Sequence, residues 1–437
     1  MELLRDGARI GVVGGGPAGS LFSLFALKFA EERSLHLQIT IYEGRDFRQA
    51  GTKGCNMCAG VLPRETVRDL ESLGLEIPPG VVQAVITRYV YHTDQGSTEI
   101  ENPDPETRIL TVYRGGGPRL ASESVSASFD HFLLESAIQR GVRLVPQFVR
   151  QILLEPHRQI LTKTTADSYD LIVLACGVNS RPEIVPPHRY IPPRTERAIQ
   201  DEITWSSGTR RPFDPHAIQV FNLHHSRITF GALIPKGHYL NVSLLGRRLK
   251  PQDLKEFMVS THSRAILSDG FEFHCGCPPR VALSMARGYC GNGYVAVGDA
   301  CITRLYKDGI GSALRTSREA ARTAVCQGIS ERTFRKHYGA WCRRIRQDNQ
   351  IGVLLFAINA RIRKGKLISW ALLHMLRREQ RLPARRRINS RILWGLFTGD
   401  RTYREVLSMI LQPAFPVRLF LAFLSVIKKR YLRGNLP

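Results

Sequence analysis

The alternation of apolar and polar positions divides the chain into two kinds of segment. Three short apolar runs read as buried parallel strands: residues 9–13 (RIGVV), 37–42 and 170–176. A continuous apolar run bounded by turn residues is the mark of a strand covered on both faces. A fourth run of the same kind, residues 293–297, ends in Gly298-Asp299-Ala300. Between these lie helical stretches at residues 20–30, at 129–139 and after Gly311 to about Val325. Elsewhere the period is two. Residues 81–92 and 97–100 alternate on either side of the turn Thr93-Asp94-Gln95-Gly96, and residues 219–222, 227–233 and 239–245 do the same. Period-two segments of this sort predict half-buried strands of a separate sheet. From about Ser330 the pattern turns helical to the end.

These elements predict an α/β fold in which a Rossmann-type domain is interrupted by a β-rich insert and followed by a helical region. The expected boundaries are residues 1–80, 120–200 and 280–330 for the first domain, 81–119 and 201–279 for the insert, and 331–437 for the helical region. Pro186-Pro187 and Pro192-Pro193 mark the passage into the second part of the insert. No internal repeat or low-complexity linker is evident. A length of 437 residues suits two or three domains.

Composition changes the picture in one place. The chain is 43% hydrophobic and 23% charged, as expected of a globular protein, yet its formal net charge is +24. The excess is concentrated in residues 332–437, which carry about 24 Lys and Arg against about 4 Asp and Glu. The body of the chain is close to neutral, which argues against a general nucleic-acid-binding surface. The tail also lacks the interleaved aromatics or module signature of a nucleic-acid binder, so no nucleic-acid partner is expected. Its apolar stretches, residues 367–376 and 417–431, are flanked by Arg361, Arg363, Lys364 and Lys366, by Arg377-Arg378 and Arg385-Arg386-Arg387, and by Lys428-Lys429-Arg430. Apolar helix faces beside clustered cations suit an anionic membrane surface. A helical cap with a solvated basic face is the plainer alternative. No run approaches the roughly 18 apolar residues of a membrane span. The start of the chain shows no secretory pattern, and the nine cysteines, an odd number, read as reduced thiols. The expected location is cytoplasmic, peripheral on the inner face of the membrane.

The candidate chemistry begins at the first turn. Strand 9–13 leads into Gly14-Gly15-Gly16-Pro17-Ala18-Gly19 and a helix, and the next strand ends at Glu43. This is a dinucleotide-binding fingerprint in its proper setting. Gly14 allows the tight turn, Gly16 the approach of a pyrophosphate, and Gly19 close helix packing. A carboxylate at Glu43 favours a free ribose 2′-hydroxyl. No second such fingerprint follows a strand, so a nicotinamide donor would visit transiently. The loop Tyr113-Arg114-Gly115-Gly116-Gly117-Pro118-Arg119 reads as flexible, with two cationic ends suited to a phosphate or a cofactor pyrophosphate.

Together with Gly177 after the strand at 170–176, Gly298-Asp299, and Gly309-Ile310-Gly311 opening a helix, the fingerprint resembles the glutathione-reductase-type FAD oxidoreductases of the aromatic-hydroxylase and geranylgeranyl-reductase superfamily. The resemblance spans residues 9–325, and Phe129-Asp130 with the helix that follows is similar to that family's second adenine-side helix. It implies FAD as cofactor, Asp299 on a ribityl hydroxyl, and the helix after Gly311 aimed at the flavin pyrimidine. NAD(P)H or another reductant would serve as transient donor, and a donor protein is a further expected partner. Cys58-Ala59-Gly60 resembles the reductases' Cys-Gly-Gly turn near the flavin, making Cys58 a candidate catalytic acid, with a packing thiol as the alternative. Phe230, Ala232, Ile234 and Pro235 occupy the places of the reductases' Tyr-x-Trp-x-Phe-Pro lining of a prenyl pocket. The Trp-to-Ala departure leaves the exact lipid open. Tyr306-Lys307-Asp308-Gly309 also departs from that family's Pro-x-x-Gly.

Three functions remain open at this point. They are reduction of carbon–carbon double bonds in a prenyl lipid, flavin-dependent monooxygenation of a hydrophobic substrate, and electron transfer by a membrane-associated flavoprotein. A redox couple of Cys55 and Cys58 would favour the third. A halogenase-type Trp-x-Trp-x-Ile-Pro is absent. Cys55, Cys58, Cys275 and Cys277 are enough thiols for a zinc site, but the pairs are far apart in sequence and no metal is expected.

Overall fold

The computed structural model describes residues 2–55, 57–103, 108–178, 184–185, 189–205, 213–264, 266–267, 270–306 and 308–432. Asn56, Asn179, Ser180, Pro186, Pro187 and Lys307 lie outside the described residues, as do the side chains of Lys428, Lys429 and Arg430. Contacts divide the chain into two compact units. Unit 1 is residues 1–82, 112–196 and 279–347, and unit 2 is residues 83–111, 197–278 and 348–437. The tail does not form a third body: its residues from 348 onward belong to unit 2.

Unit 1 is built on a six-stranded sheet. Strand Arg9–Val13 pairs in parallel with Gln38–Tyr42 on one side and Leu171–Leu174 on the other. The parallel run continues through Arg143–Val145 at one side and Tyr294–Ala296 at the other, and Cys290–Gly291 adds an antiparallel edge. The apolar strands predicted from sequence are the central ones. Ile10, Val12, Ile41, Leu171, Val173 and Val295 are all buried, because helices cover a parallel sheet on both faces. The helix Pro17–Glu31 packs against both Phe129–Ile138 and Gly309–Cys326. Each helix start has a recognisable signal. Pro17 stands in the first turn, where its missing N–H costs nothing. Ser128 accepts from the His131 N–H at 3.1 Å, and Asp308 accepts from the Gly311 N–H at 2.9 Å.

Unit 2 holds a seven-stranded sheet in the order Phe271–Phe273, Ile199–Trp205, Tyr239–Gly246, Ile228–Lys236, Ala217–Phe221, Arg88–Thr93, Gly96–Glu101. The period-two segments appear in it, except that the first part of 81–92, strand Val82–Ile86, belongs to a separate three-stranded sheet. Strand Ile199–Trp205 is an addition that the sequence pattern did not single out. One face is apolar: Ile199, Ile203, Leu233, Leu240, Val242 and Leu244 form a buried cluster with Leu254, Phe257 and Met258 of the helix Pro251–Met258.

The helices of unit 2 are anchored through side chains that the sequence reading had assigned to a basic surface. Arg377 donates twice to the Ser97 carbonyl, at 3.1 and 2.8 Å, and Arg387 donates to Glu101 at 2.6 Å. Arg363 donates to the carbonyls of Leu223 and Ile228. Burial lowers its pKa, a sign that this cation is used inside the unit. These three cations therefore serve packing. Arg377 is nevertheless exposed, as are Arg361, Lys364, Lys366, Arg378, Arg381, Arg385 and Arg386. Glu379, buried, accepts from the N–H groups of Asn389 and Ser390 at 3.1 and 2.8 Å and ties helix Lys366–Glu379 to helix Ile388–Thr398.

Candidate functional site

The three motifs expected to hold a dinucleotide converge in unit 1. Gly14 has φ +105°, and a Cβ there would stand 2.6 Å from the Ala175 carbonyl oxygen, at the end of strand Leu171–Leu174. A Cβ on Gly19 would stand 1.9 Å from the Gly14 oxygen, so only glycine lets this helix start so close to its own turn. A Cβ on Gly298 would touch Ala18 at 2.8 Å. The helix Gly309–Cys326 clasps both other motifs: Thr316 Oγ1 accepts from the Gly298 N–H at 2.8 Å, and Ser317 Oγ donates to the Ala18 carbonyl at 2.7 Å. Gly177 follows the strand in a left-handed conformation, and nothing lies within 4 Å of where its Cβ would be; the same open space surrounds Gly309.

Glu43, expected from the sequence to meet a ribose, follows strand Gln38–Tyr42. Its Oε2 accepts from the Gly15 N–H at 3.0 Å and its Oε1 from the Arg45 N–H at 2.9 Å. Burial raises its pKa, and these two N–H donors oppose the shift. Both oxygens keep a second lone pair for a further donor.

The glycine loop Gly115–Pro118 is buried, contrary to the expectation of flexibility. A Cβ on Gly115 would stand 2.3 Å from the Gly54 oxygen, and one on Gly116 would stand 2.6 Å from Ser124 Oγ. Lacking side chains, the loop packs against the Gly54-Cys55 turn and carries Arg114 inward. Arg114 meets Asp130 in a two-pronged ion pair, Nε to Oδ1 at 3.0 Å and Nη2 to Oδ2 at 2.9 Å. A Cβ on Gly16 would lie 3.4 Å from Arg114 Nη2 and 3.7 Å from Asp130 Oδ2. The pair thus stands against the glycine where a pyrophosphate would approach. Arg119, the other end of the loop, is half-buried.

Asp299 completes the cluster. Its Oδ1 is buried and has no hydrogen-bond partner among the described residues. Burial raises its pKa, while the positive charge of Arg114 pulls the other way. Burial likewise disfavours charge on Arg114, but Asp130, with Cys58 and Asp299 adding, more than offsets it and keeps the guanidinium charged. Cys58 is half-buried, and its Sγ accepts from the Gly60 N–H at 3.3 Å. Cys55 Sγ accepts from the Met57 N–H in the same way, and neither cysteine is in a disulfide among the described residues.

Sequence reasoning had treated Arg114 and Asp130 separately, one as a loop cation and the other as part of a helix. Their pairing crosses 16 residues of irregular chain, and no local pattern announces it. An acidic residue in the first turn of a helix, beside a glycine-rich loop that begins with Arg, is the signal that could have prompted it.

The predicted substrate-lining residues lie in unit 2, on strand Ile228–Lys236. Period-two alternation puts Phe230, Ala232 and Ile234 on one face. Pro235 is on the other, next to Leu240 and on the same side as Leu233 of the apolar cluster. The four therefore do not form a single lining. Cys275 and Cys277 are buried in a turn organised by Asp201, which accepts from the N–H groups of His274, Cys275 and Gly276 at 3.1, 2.7 and 2.8 Å. Among the described residues the four cysteines are not grouped as metal ligands. Among the described residues the one set of ligand atoms close enough is His225, Asp253 and Glu256. There Asp253 caps helix Pro251–Met258 and pairs with Arg227, and His225 Nδ1 accepts from the N–H groups of Arg227 and Ile228.

No protein-family model matches the chain, and no curated protein matches it in sequence. Solved structures do share its fold. One is a geranylgeranyl bacteriochlorophyll reductase-like protein from Thermoplasma acidophilum, at 14% identity with a TM-score of 0.61, covering 98% of this chain and 99% of that one. A flavin-dependent brominase matches at 15% identity with a TM-score of 0.59, covering 83% of this chain and 91% of the other. The p-nitrophenol 4-monooxygenase of Pseudomonas putida matches at 14% identity with a TM-score of 0.55, covering 96% of this chain and 99% of that one. The resemblance drawn from a few motifs thus extends, as a fold, over nearly the whole chain.

Proposed function

We propose that this chain is an FAD-dependent oxidoreductase that reduces carbon–carbon double bonds of a prenyl lipid. The observation that carries the cofactor assignment is the buried, unpartnered Asp299 Oδ1 beside Arg114, at the meeting point of the three glycine motifs. A buried carboxylate oxygen without a donor costs more than the 1–3 kcal/mol typical of a neutral group, about the strength that a ribityl hydroxyl donor would restore. The residues fit the cofactor at each point. Glu43 offers lone pairs to the adenosine ribose, the N-terminus of helix Pro17–Glu31 and Arg114 offer positive charge to the pyrophosphate, and the start of helix Gly309–Cys326 offers its dipole to the flavin ring. Bound and reduced, by NAD(P)H or another donor, flavin supplies a hydride. The chain must supply the proton, and Cys58, within electrostatic range of Arg114, is the candidate acid.

The likeness to the reductase-like structure supports the reductase reading, and the likeness to the monooxygenase supports oxygenation of a hydrophobic substrate as the second reading. Anaerobic reoxidation separates them. Reduced enzyme mixed with an unsaturated prenyl lipid regains its oxidised flavin spectrum without oxygen if it is a reductase. Reoxidation that waits for oxygen supports the second reading.

Attachment to an anionic membrane belongs to the same proposal. On helix Ala414–Leu432, Phe415, Leu419, Ala422 and Phe423 pack with Ala371 and Met375 of helix Lys366–Glu379. Val417, Phe420, Leu421, Leu424 and Ile427 form a second apolar stripe on the opposite side, and all five are exposed. A contiguous exposed stripe needs a partner, whereas scattered surface apolar residues do not. The exposed cations of the same unit, Arg361, Lys364, Lys366, Arg378 and Arg381 among them, favour anionic headgroups as that partner. Among the described residues no single helix is long and apolar enough to cross a membrane; helices Tyr403–Leu411 and Ala414–Ile427, bent by 61°, are long and apolar enough only together.

A further inference from the structure

The sheet of unit 2 has a polar ladder on the face opposite its apolar cluster. In register across three strands stand Gln200 beside Ser243 and Ala232, and Glu202 beside Asn241 and Ile234. Gln200 donates to Ser243 Oγ at 2.9 Å, Ser243 donates to Asn241 Oδ1 at 2.7 Å, and Asn241 donates to Glu202 Oε1 at 3.3 Å. Lys236 Nζ donates to the same Oε1 at 3.0 Å, with side-chain exposures of 1% for Lys236 and 5% for Glu202. Two donors, Asn241 Nδ2 and Lys236 Nζ, thus meet at one oxygen. The other, Glu202 Oε2, is buried and has no hydrogen-bond partner among the described residues.

A purely structural ion pair is stabilising only when its remaining lone pairs are met. Here one carboxylate oxygen is left over, on the face that carries Phe230, Ala232 and Ile234. An apolar strip with an anionic acceptor at one end matches an apolar molecule with a neutral donor group. It repels a second anion, because the Lys236 charge is already balanced by Glu202.

We propose that Glu202 Oε2 accepts a hydrogen bond from a hydroxyl of the substrate, which makes the substrate a free lipid alcohol or phenol and not a phosphorylated lipid. This rests on the prenyl-lipid reading above and narrows it. No covalent step is involved, so Glu202 acts as a specificity residue.

The test is calorimetric titration of the FAD-loaded protein with geranylgeraniol and with geranylgeranyl diphosphate. Wild type is expected to bind the alcohol at least tenfold more tightly than the diphosphate. Glu202→Gln keeps an acceptor for Lys236 and Asn241 but turns a donor toward the ligand, and it should lose about tenfold in alcohol affinity. Glu202→Gln/Lys236→Met leaves no unpaired buried charge and guards against a folding defect; it should lose the same preference. Unchanged alcohol affinity in a folded variant, as expected if Oε2 serves only a buried water, overturns the proposal. So does tighter binding of the diphosphate, or binding of neither probe. The anaerobic reoxidation of wild type reports separately whether the reductase reading itself holds.

Discussion

Arg114 grips Asp130 with both prongs of its guanidinium, and the pair stands against Gly16, the glycine of the first turn. Asp130 is fully buried, and the Arg114 side chain is 23% exposed. The pair fixes the glycine loop against the start of helix Phe129–Ile138, and under the proposed function it has a second duty, to keep a cation where a pyrophosphate would lie.

The two duties separate on mutation. Arg114→Met takes the ion pair from a buried carboxylate and is expected to cost about 3–5 kcal/mol of stability. Arg114→Met/Asp130→Leu removes both charges and should recover most of that loss. Neither variant should hold flavin as wild type does. Urea denaturation and the flavin content of the purified protein check the two parts. A double variant that regains full flavin binding would show that the pair is structural only.

Asp299 predicts a pH dependence. Burial holds its folded pKa above the unfolded value of about 3.9. The native flavin-free protein therefore binds more protons at this site than the unfolded chain does. The resulting contribution is fully present below the unfolded pKa and is lost as pH rises through the folded pKa. Flavin-free Asp299→Asn should match wild type at the acid end of the folded range and become the more stable of the two as pH rises toward neutrality. Added FAD should narrow the gap for wild type and not for the variant. Urea titrations at several pH values would show it; a difference that does not change with pH contradicts the assignment.

The exposed stripe of helix Ala414–Leu432 predicts vesicle binding that needs both apolar contact and charge. The protein should float with phosphatidylglycerol vesicles at low salt, and less so with phosphatidylcholine vesicles or at high salt. Phe420→Glu/Leu424→Glu should remove flotation while leaving the thermal melt and flavin content unchanged, because both side chains are exposed. If that variant instead changes oligomeric state and wild type never floats, the stripe is a contact between copies of the chain.

The parts of the fold that announce themselves locally were legible in the sequence. The turn from Gly14 to Gly19, the strand ending at Glu43 and the Gly298-Asp299 turn each depend on residues a few positions apart, and backbone sterics leave little choice there. Strand Ile199–Trp205 was not legible. Its Gln200, Asp201 and Glu202 make it look like a solvated segment, yet all three are buried, held by partners between 34 and 75 residues away. The loop from Gly115 to Pro118 misled in the opposite sense. Glycine frees a chain in isolation, but here it allows the closest packing. Pro235 falls on the face opposite Phe230, Ala232 and Ile234, because alternation along a strand turns neighbours apart and a motif read as a string does not show it.

The central claim is that reduced flavin on this chain saturates lipid double bonds. It is tested most directly by expressing the protein in cells that contain unsaturated prenyl lipids and measuring the lipid masses. A Gly14→Asp/Gly16→Asp variant, which should lose FAD, serves as the control. The account predicts a gain of about 2 Da per double bond, from hydride plus proton, that the control lacks. A gain of about 16 Da, from inserted oxygen, would contradict it.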